Sequence, residues 1–101
     1  MTYYKVITNE HKSLGLRKNK NIMTFPKNIW VQDKTELFCD KRDNGGIWVA
    51  NNLSSAIKLK RYMMEKYNIS CKIFETIIGE ILYQNSYRTK TNKVNLIKEI
   101  T

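Results

Sequence analysis

Apolar, aromatic and β-branched positions dominate YYKVIT at residues 3–8, and a first strand is expected there. The pattern stops at Asn9. NEHKSLGLRKNK, residues 9–20, sets Gly15 between two leucines amid cations and reads as a surface loop pinned by Leu14 and Leu16. Pro26, the only proline, cannot donate to an interior ladder, which places it just ahead of a strand at 29–32. TELFCD, 35–40, reads as another short strand. KRDNGG, 41–46, reads as a turn, because Asn-Gly and Gly-Gly accept positive φ, and IWVA, 47–50, as a central strand.

After residue 51 the period changes. Ala56, Leu59, Met63 and Tyr67 recur at helical spacing, Asn52 or Ser54 can cap, and a helix over 53–67 is predicted. Ile57 and Met64 widen its apolar arc, whereas Lys58, Arg61 and Glu65 fall opposite. Lys60 lies inside the arc and reads as a side chain snorkelling at the helix edge. ISCKIFETI, 69–77, returns to strand, Gly79-Glu80 breaks it, EILYQ begins another, and VNLIKEI, 94–100, closes the chain as a last strand. Three or four strands, one helix and three strands predict an α+β fold, a mostly antiparallel sheet with one main helix packed on one face. At 101 residues the chain makes a single domain, 1–101.

Charge adds a functional direction. Eighteen Lys plus Arg face nine Asp plus Glu, a formal +9, and such a surface draws anions at long range. Lys12, Arg17, Lys18 and Lys20 form one basic cluster; Arg88, Lys90 and Lys93 form another, with Tyr83 and Tyr87 available for stacking. If 87–93 is extended, Arg88, Lys90 and Asn92 share one face and Tyr87, Thr89 and Thr91 the other. SYRTKTNK, 86–93, is thus an anion-contacting edge or turn, or else a solvated turn. Heavy use of Lys, Asn, Ile and Tyr also fits AT-rich codons, a source of positive charge unrelated to ligands.

Other chemistry is sparse. Cys39 and Cys71 are too few for a disulfide framework, and no Cys/His cluster accompanies His11, so neither a structural metal nor a cofactor is expected. His11 lies between Glu10 and Lys12 and reads as a surface residue; Glu75 and Glu80 read as strand positions rather than a carboxylate pair. No Walker A or Rossmann glycine pattern occurs. No apolar run approaches a membrane span, and a soluble cytoplasmic protein with reduced thiols is expected.

GGIWVANNLSSAIKLKRYM, a glycine pair, a strand ending in a small residue, then a helix opening with alanine, resembles the central segment of ADP-ribosyltransferase-like domains, and YYKVIT resembles their first strand. Lys5 stands where such families use histidine or arginine, and no catalytic glutamate motif follows. The resemblance implies an inactive relative that holds a nucleotide, and a deep pocket between YYKVIT and the helix would favour it. By size and composition the chain also resembles the small basic orphan proteins of phages and prophages, some of which inhibit host defence by binding a nuclease complex or sequestering a nucleotide signal. Three readings follow. The leading one is a non-enzymatic protein of a mobile element, acting in the host cytoplasm on nucleic acid or a nucleoprotein complex through its basic surface. The alternatives are the nucleotide-holding relative and an oligomerising structural protein, possible as a homodimer.

Overall fold

The computed structural model describes residues 2–15, 22–42 and 45–100. Among them lie seven strands and one helix: β1 (Tyr3–Thr8), β2 (Trp30–Gln32), β3 (Ile47–Ala50), α1 (Leu53–Tyr67), β4 (Cys71–Ile78), β5 (Ile81–Gln84), β6 (Arg88–Thr91) and β7 (Lys93–Ile100). The strands form one antiparallel sheet in the order β2-β7-β4-β1-β3-β6-β5, with α1 packed against it, as the α+β reading expects. No helix among the described residues is long and apolar enough to cross a membrane.

β1 lies inside the sheet and is covered on both sides, which is why four of its six residues are buried. Tyr3 and Ile7 join Phe25, Ile47, Val49, Phe74, Val94 and Leu96 in one core cluster. Val6 points the other way, into a second cluster with Ala56, Met63, Cys71 and Ile73 beneath the helix. Asn52 caps α1 by accepting a hydrogen bond from the Ser55 amide at 2.8 Å. Asn68 ends it in the left-handed conformation, φ 55° and ψ 39°, with its N–H turned back to the Met63 and Met64 carbonyls.

The buried stripe of α1 is narrower than its sequence suggests. Ala56 and Met63 are buried and Leu53 and Leu59 flank them, but Ile57, Met64 and Tyr67 are exposed, because the helix meets chiefly β1 and β4. Lys60 is half-buried beside Cys71; burial pushes that thiol's pKa up while the nearby Lys60 charge pulls it down.

Two other segments depart from expectation. Residues 35–40 form no strand, and β2 begins at Trp30 rather than Ile29. The buried Asp33 carboxylate turns the chain away after β2, accepting from the Thr35 amide (2.9 Å) and hydroxyl (2.7 Å) and from the Gly46 amide (2.9 Å). The Phe38 amide then donates to the Gly45 carbonyl, closing a loop where a ladder was expected.

Residues 88–91, read as an edge or a turn, are instead an interior strand between β3 and β5. Lys90 is fully buried there and its ammonium donates to the Phe38 carbonyl at 2.8 Å. Gly46, at φ 150°, makes room for it: a Cβ would come within 2.7 Å of the Lys90 Cγ and Cδ atoms.

The narrow helical stripe predicts unequal effects at two adjacent methionines. Met63→Ala should lower unfolding stability by about 2–5 kcal/mol as a buried side chain is lost. Met64→Ala should stay within about 0.5 kcal/mol. Urea titrations of both variants measure the difference, and equal losses would show that the helix buries a wider face.

Candidate ligand cleft

The sheet is joined weakly at one seam. β1 and β4 pair along six residues, yet β1 and β3 share the single register pair Tyr4↔Ala50. Past that pair a side chain takes over from the ladder: Lys5 Nζ donates to the Trp48 carbonyl at 2.8 Å. A cleft of about 530 Å³ opens along this seam, within the size range of small-molecule sites. Lys5 and Val6 of β1 and residues 47–50 of β3 line it, with Ser55, Leu59, Tyr62, Lys66 and Tyr67 of α1 as one wall.

The facing wall is the arm after β1. The Ser13 amide donates to the Met23 carbonyl at 3.0 Å, the Met23 amide to Ser13 Oγ at 2.9 Å, and the Phe25 amide to the His11 carbonyl at 2.8 Å. These bonds bring Ser13, Leu14, Gly15 and Met23 to the cleft, while buried Phe25 anchors the arm in the core.

Three described cations line the cleft, and two of them, Arg88 and Lys66, each stand against a pair of aromatic rings. The Arg88 guanidinium lies 3.8 Å from the Trp48 ring centroid and 5.8 Å from that of Tyr87. Its backbone is fixed by Asn85, whose Oδ1 accepts from the amides of Tyr87 (3.0 Å) and Arg88 (2.9 Å). Asn51, just before the helix, donates through Nδ2 to the Asn85 carbonyl at 2.7 Å, and its amide donates to the Tyr87 carbonyl at 3.0 Å. At the other end of α1, the Lys66 ammonium sits 5.4 Å from the Tyr62 ring and 5.7 Å from the Tyr67 ring, and these rings meet edge to face. A hydrogen bond with Tyr62, then the proximity of the Tyr62 and Tyr67 phenols, raises the Lys66 pKa above its ordinary value. No Asp or Glu is among the described residues lining the cleft. Flat π faces, cations and no carboxylates make a surface for planar anions.

Lys5 differs from both. It is 9 % exposed, its ammonium is 5.1 Å from the Phe25 ring centroid, and burial pushes its pKa down to about 8. The bond to the Trp48 carbonyl and the Phe25 face work in the opposite direction, favouring the charged form.

Of the described cations proposed from the sequence as anion contacts, only Arg88 lines the cleft. Arg88 and Lys90 do share a face of β6, and both lie over Trp48, Lys90 at 5.5 Å. Lys93 lies apart from them, starting β7 with its ammonium 4.9 Å from the Trp30 ring. Lys12 is exposed on the arm, and Arg17, Lys18 and Lys20 fall outside the described residues. Tyr87 is in the cleft wall, whereas Tyr83 packs edge-on against Trp48 at 5.9 Å. His11, expected at the surface, is half-buried, with Nδ1 3.1 Å from the Phe25 carbonyl and its ring edge-on to Phe74.

Lys5, Trp48, Tyr62, Lys66 and Tyr67 were missed as site residues. Two signals pointed to them: a lysine on the same strand face as Tyr3 and Ile7, and the i, i+4 pair Tyr62 and Lys66 on one side of the helix. Among the described residues no three His, Cys, Asp or Glu side chains gather to hold a metal ion. Comparisons with family models, curated proteins and solved structures find no match.

Burial of Lys5 has a pH signature. Below pH 8 both the folded and unfolded states carry its proton, and folding bears the full cost of the buried ammonium. Between about 8 and the ordinary 10.5 the folded state sheds the proton first, so stability rises with pH, by up to about 3 kcal/mol. Unfolding measured from pH 7 to 10.5 should show this rise in the wild type and a flatter profile in Lys5→Met. Parallel profiles would place the lowered lysine elsewhere.

Proposed function

We propose that the protein is a non-enzymatic binding protein whose cleft holds a nucleotide-type ligand, with its base against the aromatic walls and its phosphate at Arg88. The observation carrying this reading is the Arg88 guanidinium stacked on Trp48 at the rim of a carboxylate-free cleft whose opposite end carries Lys66 between Tyr62 and Tyr67. The planar N–H fork of an arginine matches phosphate oxygens, and exposed phenols offer stacking faces that tolerate any base. The cleft runs between YYKVIT and the helix, where the resemblance to ADP-ribosyltransferase-like domains implies a ligand. The net charge of +9 adds long-range attraction for the same class of anion.

This reading ranks above nucleic-acid binding through the 88–93 stretch, because Lys90 is buried and Lys93 faces Trp30. Holding a nucleotide without transforming it is the sequestering route among the two ways in which small phage-type inhibitors disarm a host defence.

Calorimetric titration with AMP and ATP tests the proposal. The wild type should bind, with affinity falling as salt rises, and Arg88→Ala should weaken binding ~10- to 100-fold, the loss expected for a hydrogen bond to a charged group. Arg88→Lys should recover only part of it, since an ammonium lacks the planar fork. If neither nucleotide binds while a short single-stranded oligonucleotide does, the basic surface becomes the functional one.

A further inference from the structure

Lys5 is the one amine in the cleft that is both buried and placed along its wall, and nucleotide binding leaves it without a task. It stands on β1 at the point where the ladder to β3 stops, beside the Phe25 ring and within reach of the Trp48 carbonyl. Val6, Ile47, Val49 and Leu59 line the same cleft and make much of its wall apolar. We propose that Lys5 forms an imine with the aldehyde of a phosphorylated ligand whose phosphate is held at Arg88. The aldehyde class is that of sugar phosphates with a free anomeric carbon, which expose an aldehyde in their open-chain form. This rests on the reading of the cleft as a site for planar phosphate-bearing ligands.

The chemistry balances without a co-reactant. The ammonium first gives its proton to solvent, which burial makes easier by bringing its pKa to about 8. One N–H of the neutral amine still bonds the Trp48 carbonyl, and the nitrogen lone pair attacks the aldehyde carbon. A C–N bond forms, the carbonyl π pair moves to oxygen, and a proton lost from nitrogen is matched by one gained at oxygen. The carbinolamine then loses its hydroxyl together with the proton remaining on nitrogen as water, and the C–N bond becomes C=N. One water is released and nothing is oxidised or reduced. An apolar wall favours the dehydrated product.

Pyridoxal 5′-phosphate is a suitable probe, because it joins an aldehyde, a flat ring and a phosphate. The wild-type protein is incubated with it, reduced with borohydride and mapped by peptide mass spectrometry. Lys5 should take the label ahead of the surface lysines, with labelling half-maximal near pH 8 instead of the ordinary lysine value of about 10.4. Pyridoxal, lacking the phosphate, should label Lys5 at least ~10-fold less, and Arg88→Ala should bring the phosphate form down to that level. Label spread over surface lysines with Lys5 unmodified overturns the proposal, and this holds even if Lys5→Met fails to fold. Pyridoxine 5′-phosphate, an alcohol in place of the aldehyde, separates the two claims. If it competes with AMP in calorimetry while Lys5 stays unlabelled, nucleotide binding stands and the imine falls. If Lys5 is labelled equally with and without the phosphate and AMP does not compete, the phosphate anchor is wrong and the proposal fails with the reading beneath it.

Discussion

The hydrogen bond from Lys5 to the Trp48 carbonyl is the contact on which the rest of the structure turns. Two antiparallel strands ordinarily satisfy each other's backbone along their whole length, and a buried carbonyl left unpaired costs free energy. β1 and β3 do so at one residue pair only, and beyond it a side-chain ammonium supplies the donor. The sheet therefore stays one piece while its two strands stay apart. A fully zipped seam would remove the buried charge and close the cleft with it. Stability and the open site are thus opposed at one residue, as they are wherever a binding site holds a group that its burial disfavours.

Around Trp48 the same logic extends outward. Arg88 stacks on its ring, Lys90 lies over it at 5.5 Å and Tyr83 meets its edge. One indole thereby organises two cations of contrasting fate: one lines the cleft, and the other is buried and holds the Phe38 carbonyl. A part of what composition presents as surface charge is accordingly structural. Lys5 and Lys90 are both interior, and Lys60 is partly so.

The architecture was legible where burial follows period. YYKVIT, IWVA, the helix with its Asn52 cap, and the final strand all lie where alternation and helical spacing place them. The reading failed where one tertiary contact overrides a local pattern. TELFCD has strand-like composition, but the Asp33 turn and the Lys90 bond to Phe38 shape it as a loop. RTKT looks like a solvated stretch because a sequence cannot show that Gly46 leaves space above it for a lysine stem. At the site, Arg88 was visible as a cation beside tyrosines, whereas Lys5, Trp48 and Lys66 converge only because α1, β1 and β3 meet at an incomplete ladder.

Asn51 and Asn85 tie the start of the helix to the turn that carries Arg88. Through them, anything that restrains Arg88 also restrains the Asn51 backbone, one residue before the Asn52 cap of α1. For the nucleotide proposed to sit at Arg88, occupancy of the cleft and order at the first turn of the helix would therefore be linked quantities, each favouring the other by the same free energy. On that reading, a change that loosens the Asn52 cap would weaken binding through the Asn51–Asn85 link, and a bound ligand would slow amide exchange in the first turn of α1.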